Sequence, residues 1–329
     1  MLRLTAQLRN RLAVQWQRVD RNDFDSSVGL LLPTLTALVA QAQVQAAEES
    51  QRFIEQVDAF NGVQSDVQVA PPAFAGVDWD GLRLEPMILF ASTMMKQRML
   101  AGAPAVDAVQ TGLHYTTTLG TTATLDAGRE AARVSWLARE VYVNWVRMIQ
   151  PGACGRCIVL AGKQSRERAF PRHPRCRCVA VPSMEVTDGS VETDPQAFFD
   201  GLSREEQDKA FTKTGAEAIR AGADMGRVVN ARRGATGIKY GPRILPTVDG
   251  PNPTRRLQPT KIGEYQGKPI HVYQTTELTG KRARSTYKYG SIDRRLPQGV
   301  RLMPETIVKL SRGNQKELER LLRHYGYIV

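Results

Sequence analysis

All four cysteines of the chain fall in one window, residues 154–178. They read Cys154-Gly-Arg-Cys157 and, after eighteen intervening residues, Cys176-Arg-Cys178, with His173 just upstream of the second pair. Sulfur and imidazole at this spacing are the donors of a metal site, because Zn2+ is borderline soft and takes four such ligands in a tetrahedron. A Cys-x2-Cys pair offers two sulfurs on one tight turn, and a second cluster about twenty residues on can close the tetrahedron. Gly155 is expected to give that turn its unusual dihedrals. Cys154, Cys157, His173, Cys176 and Cys178 compete for four positions. The expected set is Cys154, Cys157 and Cys176, with His173 or Cys178 as the fourth, since a Cys-x-Cys spacing strains a mononuclear site. The alternatives are two disulfides, which an oxidising compartment would favour, or unliganded core thiols, which sit poorly with seven basic residues in the same window. The zinc is read as structural.

Catalysis is the competing use of these side chains. Cys154 or Cys157 with His173 can be drawn as a nucleophile and base, but clustered cysteines at ligand spacing favour metal. A zinc hydrolase needs an open coordination position and a general base. The only carboxylate between the cysteine pairs, Glu167, reads as a solvated charge. Arg284, Ser285, Thr286 and Glu317-Leu-Glu319 mimic the order of an ADP-ribosyltransferase site, yet the Glu-x-Glu falls on an expected helix. There is no phosphate-binding glycine loop and no His-Asn-His nuclease pattern. The chain is therefore expected not to be an enzyme.

The elements around the window must place it. The chain has 329 residues, 42% of them hydrophobic, enough for two or three domains with real cores. The formal net charge is +12, and its placement matters more than its size. From Arg227 onward 21 Lys and Arg stand against 7 Asp and Glu, a net of +14, so the earlier residues are slightly acidic. Such asymmetry points to a polyanionic neighbour, with nucleic acid first. The candidate contacts are Arg232, Arg233, Arg255, Arg256, Lys281, Arg282, Arg284, Arg294 and Arg295; the bland reading is a solvated basic surface. Arg3, Arg9, Arg11 and Arg18 interrupt any signal-like apolar run. No stretch reaches roughly 18 uninterrupted apolar residues. A soluble, non-secreted protein is expected.

Leu4, Leu8, Leu12, Trp16 and Val19 form one stripe of a helix over residues 1–20. A second helix is expected from about Ser26 to Val57, and a third over 87–100, ended by Gly102 and Pro104. Thr111–Thr124 reads as loop or weak helix. Asp126 is expected to cap a helix over 127–149, with Val134, Leu137, Val141, Trp145 and Met148 facing one way. Val179–Pro182 suits a short strand, and Glu185–Asp194 a polar linker. Asp194-Pro195 opens a helix. Ser203-Arg-Glu-Glu206 is a capping box for a helix running through Ala218. Asp224 caps a further turn, closed by Gly234. Residues 235–300 read as a loop-rich basic arm with a few strands, parts of which order only in a complex. Pro304 starts one terminal helix, and Leu318, Leu321, Leu322 and Tyr325 mark another. These two could form a DNA-reading pair, but their apolar positions favour docking onto the body.

A resemblance joins these motifs. Trp145-Val-Arg147, Cys154-x2-Cys157, Phe170-x2-His173-Pro-x-Cys176-x-Cys178 and the following Val181-Pro182 resemble the central signature of Mu F-like minor head proteins of tailed phages. The blocks Leu202–Asp208, Gly215–Arg220, Gly222–Asp224, Val228–Gly234, Arg301–Glu305 and Leu322–Tyr327 are similar to the actinobacteriophage branch. The likeness covers residues from about 130 to the C-terminus. It implies a minor capsid component near the portal, inside the phage head and in the host cytoplasm during assembly. It would act in head assembly and in DNA packaging or ejection. Its implied partners are the portal or major capsid protein and, through the basic region, packaged DNA. A capsid maturation protease and a zinc-containing nucleic-acid-binding protein are the alternatives.

The expected fold is mainly α. It comprises a helical domain over 1–150, a small Cys/His metal-binding module over 151–185 and a helical segment over 186–234. A basic α+β C-terminal region follows, with an arm over 235–300 and a helical pair over 301–329.

Overall fold

The computed structural model describes residues 1–78, 80–150, 152–162, 164–165, 176, 178–184, 194–233, 238–240, 255–257, 259–265, 267–277, 287–289 and 292–329. Helices dominate, with a few small antiparallel sheets. The described residues form two compact units: one holds residues 1–150 with those from 162 to 184, the other 152–161 with those from 194 onward.

The first unit is a four-helix assembly with a small sheet. Helix α1 (Leu2–Trp16) buries the predicted stripe of Leu4, Leu8, Leu12 and Trp16, and Val19 beyond it is buried too. Helix α2 (Phe24–Phe60) starts at Asp23, whose carboxylate accepts from the Ser26 backbone N–H at 3.1 Å. Pro33 lies early in it, where a lost amide bond disturbs a helix least. One 18-residue window of α2 has a mean hydropathy of 1.4 and is 33% buried. By length and composition it could cross a membrane, which the count of uninterrupted apolar residues did not register. Here Val28, Leu31, Leu35 and Val39 of α2 join one core with α1 and with helix α3 (Leu84–Leu100).

The central helix is α4 (Ala105–Leu137), which decides one open reading and corrects another. First, of the two forms expected for the Thr- and Gly-rich stretch, loop or weak helix, it takes the helical one throughout. The hydroxyls of Thr117, Thr118, Thr121, Thr122 and Thr124 donate to carbonyls four residues back at 2.7–2.8 Å, so each buried or half-buried hydroxyl is satisfied within the helix by sharing a carbonyl that also accepts a helical N–H. Gly112, Thr116, Gly120, Thr124 and Gly128 make a buried stripe of small residues at every fourth position. A Cβ on Gly112 would lie 2.7 Å from Met95 and Trp16, and one on Gly120 3.0 Å from Val39. The stripe admits the neighbouring helices, and their burial outweighs the weak helix propensity of Thr and Gly. Asp126 is therefore not a cap but a buried mid-helix residue. Second, α4 stops at Leu137. Val134, Leu137 and Val141 are exposed, and Trp145 and Met148 lie on strand β1 (Asn144–Met148). The β-branched and aromatic run Val141–Val146 suits a pleated surface better than a helix. Strand β1 pairs antiparallel with β2 (Gln164–Ser165) on one side and β3 (Val179–Ser183) on the other.

A buried polar network ties this unit's long-range segments together. The Arg139 Nε donates to Asp58 at 2.6 Å, the Tyr142 hydroxyl donates to the other Asp58 oxygen at 2.7 Å, and Arg139 also reaches Ser135 and the Val67 carbonyl. Gln43 bonds in both senses, donating to the Val77 carbonyl at 2.6 Å and accepting from the Gly76 N–H at 2.9 Å.

The second unit contains α5 (Gly155–Val159), α6 (Pro195–Asp200), α7 (Arg204–Phe211), α8 (Lys213–Arg220), α9 (Met225–Arg233), α10 (Pro304–Ser311) and α11 (Gln315–His324). Four antiparallel strand pairs accompany them: β4 (Ile238–Tyr240) with β5 (Arg255–Leu257), β6 (Thr260–Tyr265) with β7 (Lys268–Val272), β8 (Gln274–Thr275) with β11 (Arg301–Leu302), and β9 (Lys288–Tyr289) with β10 (Ile292–Arg295). The predicted caps form at Asp194, Ser203 and Asp224, including both halves of the Ser203–Glu206 box. Gly234 and the linker residues 185–193 lie outside the described residues. The single helix expected through Ala218 is two. Thr212, at φ 66°, ends α7, and its hydroxyl accepts from the Gly215 N–H to start α8. A β-branched residue with positive φ carries strain of about 1–3 kcal/mol. The new cap and the burial of Phe211, Ala216 and Ile219 beside the break offset it.

The chain end is locked inside this unit. The Arg301 guanidinium is buried, lies 4.0 Å from the Tyr327 ring centroid, and donates to the carbonyls of Tyr325 and Gly326, both at 3.2 Å. These carbonyls belong to the C-cap residue of α11 and the residue beyond it, where no further turn of helix supplies a donor. Arg227 adds a 2.8 Å bond to the Gly326 carbonyl, and Tyr327 donates to the Leu302 carbonyl at 2.9 Å. Ile307, Leu318, Leu321 and Leu322 are buried, while Lys309, Arg312, Lys316, Arg320 and Arg323 face out, as the docking reading of the terminal helices expects.

Candidate metal centre

Helix α5 supplies the first sulfur. Cys154 is its extended N-cap residue, half-exposed, and Cys157 is a full turn in and buried. Gly155 is the first residue of α5 and is not among the glycines of positive φ. Its expected role was conformational, and its actual role is room. A Cβ there would lie 2.8 Å from the Phe211 ring and 3.0 Å from the Ala210 carbonyl. Phe211 is buried, edge-on to Phe199 at 5.4 Å, and has little freedom to move. Gly155→Ala should therefore lower the melting stability by about 1–3 kcal/mol, the usual cost of overpacking, despite the better helix propensity of alanine. A melting temperature equal to wild type would count against this account of the α5 packing.

Cys176 and Cys178 supply the other sulfurs, both buried, just before β3. Both members of the Cys-x-Cys pair are thus buried. The sulfurs of Cys157, Cys176 and Cys178 all lie within 4.8 Å of one another, and none of the four cysteines is in a disulfide. Four Zn–S bonds of 2.3 Å in a tetrahedron place the sulfurs about 3.8 Å apart, inside the 4.8 Å bound that holds for this trio. Three buried thiolates without a cation would be prohibitively charged, and a divalent ion removes most of that penalty.

The backbone bearing two of these cysteines is held from α4. Arg129 donates through Nε and Nη2 to the Cys178 carbonyl, each at 3.3 Å, and through Nη2 to the Cys176 carbonyl. Its Nη1 pairs with Asp126 at 2.7 Å, with side-chain exposures of 11% and 5%. Sequence reasoning missed this pair. The only local signal was an Asp and an Arg three apart, common on any helix.

Of the five predicted ligands the structure thus groups Cys157, Cys176 and Cys178. Cys154 stands outside that group, and His173 lies outside the described residues, as does Glu167. Of the predicted nucleic-acid contacts, Arg232 is engaged by Glu305 at 2.6 Å and approaches the Thr212 hydroxyl at 3.4 Å. Arg233 ends α9, Arg255 and Arg256 lie on β5, and Arg294 and Arg295 on β10. Lys281, Arg282, Arg284, Ser285 and Thr286 lie outside the described residues. Glu317 and Glu319 are helical, Glu317 paired with Arg320 at 2.7 Å and Glu319 accepting from Gln315 at 3.2 Å. That is a surface pattern, not an extended catalytic motif. Compared with family models, curated proteins and solved structures, the chain matches none.

Proposed function

We propose that this chain is a structural component of a phage head, a Mu F-like minor capsid protein whose fold is stapled by zinc. The observation that carries the reading is the convergence of three buried, disulfide-free cysteines. These sulfurs belong to the Cys-x2-Cys and Cys-x-Cys elements through which the sequence resembles that family. Buried sulfur donors suit a closed structural site better than a reaction centre, which needs an open coordination position. Cys154 or His173 would complete the tetrahedron. In this reading the helical part meets the portal or major capsid protein, and the basic C-terminal region lies against packaged DNA. Neutralising phosphates releases counterions, so that contact should weaken steeply with salt.

The test has two arms. Metal analysis of the purified full chain should find about one zinc per chain, lost together with stability when a strong chelator is added. A stably folded, metal-free preparation would overturn the staple. Mass spectrometry of purified particles should find the chain at low copy, and its absence from particles would overturn the virion assignment.

A further inference from the structure

We propose that Arg129 is the positioning residue of the metal centre. The inference rests on the metal reading above and extends it to a residue with no sulfur and no place in the cysteine motif. The guanidinium is a rigid planar fork, and its donors are divided between two tasks. Nη1 is fixed by the buried Asp126 carboxylate at 2.7 Å. Nε and Nη2 are then aimed at the carbonyls of Cys176 and Cys178. These bonds land on the two ligand residues themselves. Each carbonyl carbon is bonded to the Cα whose Cβ carries the sulfur, so holding both carbonyls holds the two backbone positions from which the thiols project and leaves only χ1 to be chosen among staggered rotamers. The Asp126–Arg129 pair sits on α4, buried along most of its length, and so forms a rigid mount.

The role is geometric rather than one of charge, because the Arg129 cation is already paired with the Asp126 carboxylate at 2.7 Å. Groups that orient metal ligands from behind raise affinity without touching the ion. A lysine cannot replace this arginine, because an ammonium is a point donor on a flexible stem and cannot span two carbonyls and a carboxylate.

The test is the Zn2+ affinity of the full-length protein, measured by competition with a chromophoric chelator. Arg129→Lys keeps the cation facing Asp126 but loses the fork, and should bind zinc about 10–100-fold more weakly. Thermal melting in excess chelator supplies the control: the metal-free variants lose some stability with the two carbonyl bonds, and the proposal requires the affinity loss to exceed that stability loss. The double variant Asp126→Asn/Arg129→Gln removes both charges at nearly constant shape. It should show the same affinity loss even if the single variant folds poorly. Wild-type affinity in either folded variant would overturn the proposal. So would an affinity loss matched by an equal loss of metal-free stability, which is what a merely structural residue produces. If wild type itself retains neither zinc nor cobalt, the metal reading has failed and takes this inference with it. Wild-type binding with unaltered variants sinks the positioning role alone.

Discussion

Asp58→Ala should destabilise the helical unit by about 3–5 kcal/mol, because it strands a buried cation. The side chains of Arg139 and Asp58 are 2% and 8% exposed and meet at 2.6 Å. Without the carboxylate, Arg139 keeps bonds to Ser135 and Val67 but has no counter-charge, and the Tyr142 hydroxyl loses its acceptor. For a unit of this size the melting temperature should fall by about 10 °C or more. Asp58→Asn keeps the shape and should fall between wild type and alanine. A double variant, Asp58→Leu with Arg139→Met, should be less damaging than Asp58→Ala, since it removes both charges together. An alanine variant melting within about 2 °C of wild type would show that water, not Asp58, solvates Arg139, contrary to the expected scale of the effect.

The same network sets an alkaline limit. Burial first, and then the bond to Asp58, push the Tyr142 hydroxyl up to about 12 from its ordinary 10.0. Burial and the Asp78 carboxylate push Tyr115 up to about 12 as well. Both folded values are raised, so the unfolded chain releases its phenolic protons first. Stability is fully present below pH 10 and is lost as pH rises through 12. Tyr142→Phe should make that loss shallower in a pH series of melts.

How much of this was legible in the sequence depends on the range of the interaction that decides it. Leu4, Leu8, Leu12 and Trp16 predict α1 because a buried stripe is a local pattern. The caps at Asp194, Ser203 and Asp224 form where the sequence puts them, because a cap is satisfied within three residues. The cysteines were legible as a group, since ligand spacing is itself a sequence pattern. The failures lie where a distant partner overrules local preference. Gly112, Gly120 and Gly128 look like helix breakers until Met95, Trp16, Val39 and Ser50 close on them. Thr212 breaks a helix that its neighbours' propensities would continue. Gly155 needs its hydrogen because of Phe211, 56 residues on, not because of its own dihedrals. Arg129 and its carbonyls are 47 and 49 residues apart, and no spacing rule joins them.

Arg301→Met should destabilise the C-terminal unit by about 3 kcal/mol, and it bears on what the basic region can do. The substitution leaves the carbonyls of Tyr325 and Gly326 short of a buried donor and removes the cation from the Tyr327 ring, losses of about 1–3 and 1 kcal/mol respectively. Arg227 still reaches Gly326, so the chain end loosens without losing every tie. Arg301→Lys should recover little, because one ammonium cannot serve two carbonyls and cover a ring. Net charge therefore overstates the cations facing a polyanion. Arg301 and Arg227 hold the terminus, and Arg232 holds Glu305. Lys309, Arg312 and Lys316 face outward from α10, α11 and the turn between them. Replacing each by Gln should leave stability within about 0.5 kcal/mol. If the proposed DNA contact uses that face, each change should also reduce the slope of log affinity against log salt by about one. The decisive comparison is between the two classes. Loss of DNA binding in Arg301→Met with a lowered melting temperature reports a collapsed support. Loss in Lys316→Gln at wild-type stability reports a phosphate contact, and a salt slope unchanged by all three surface variants would remove this face from the interface.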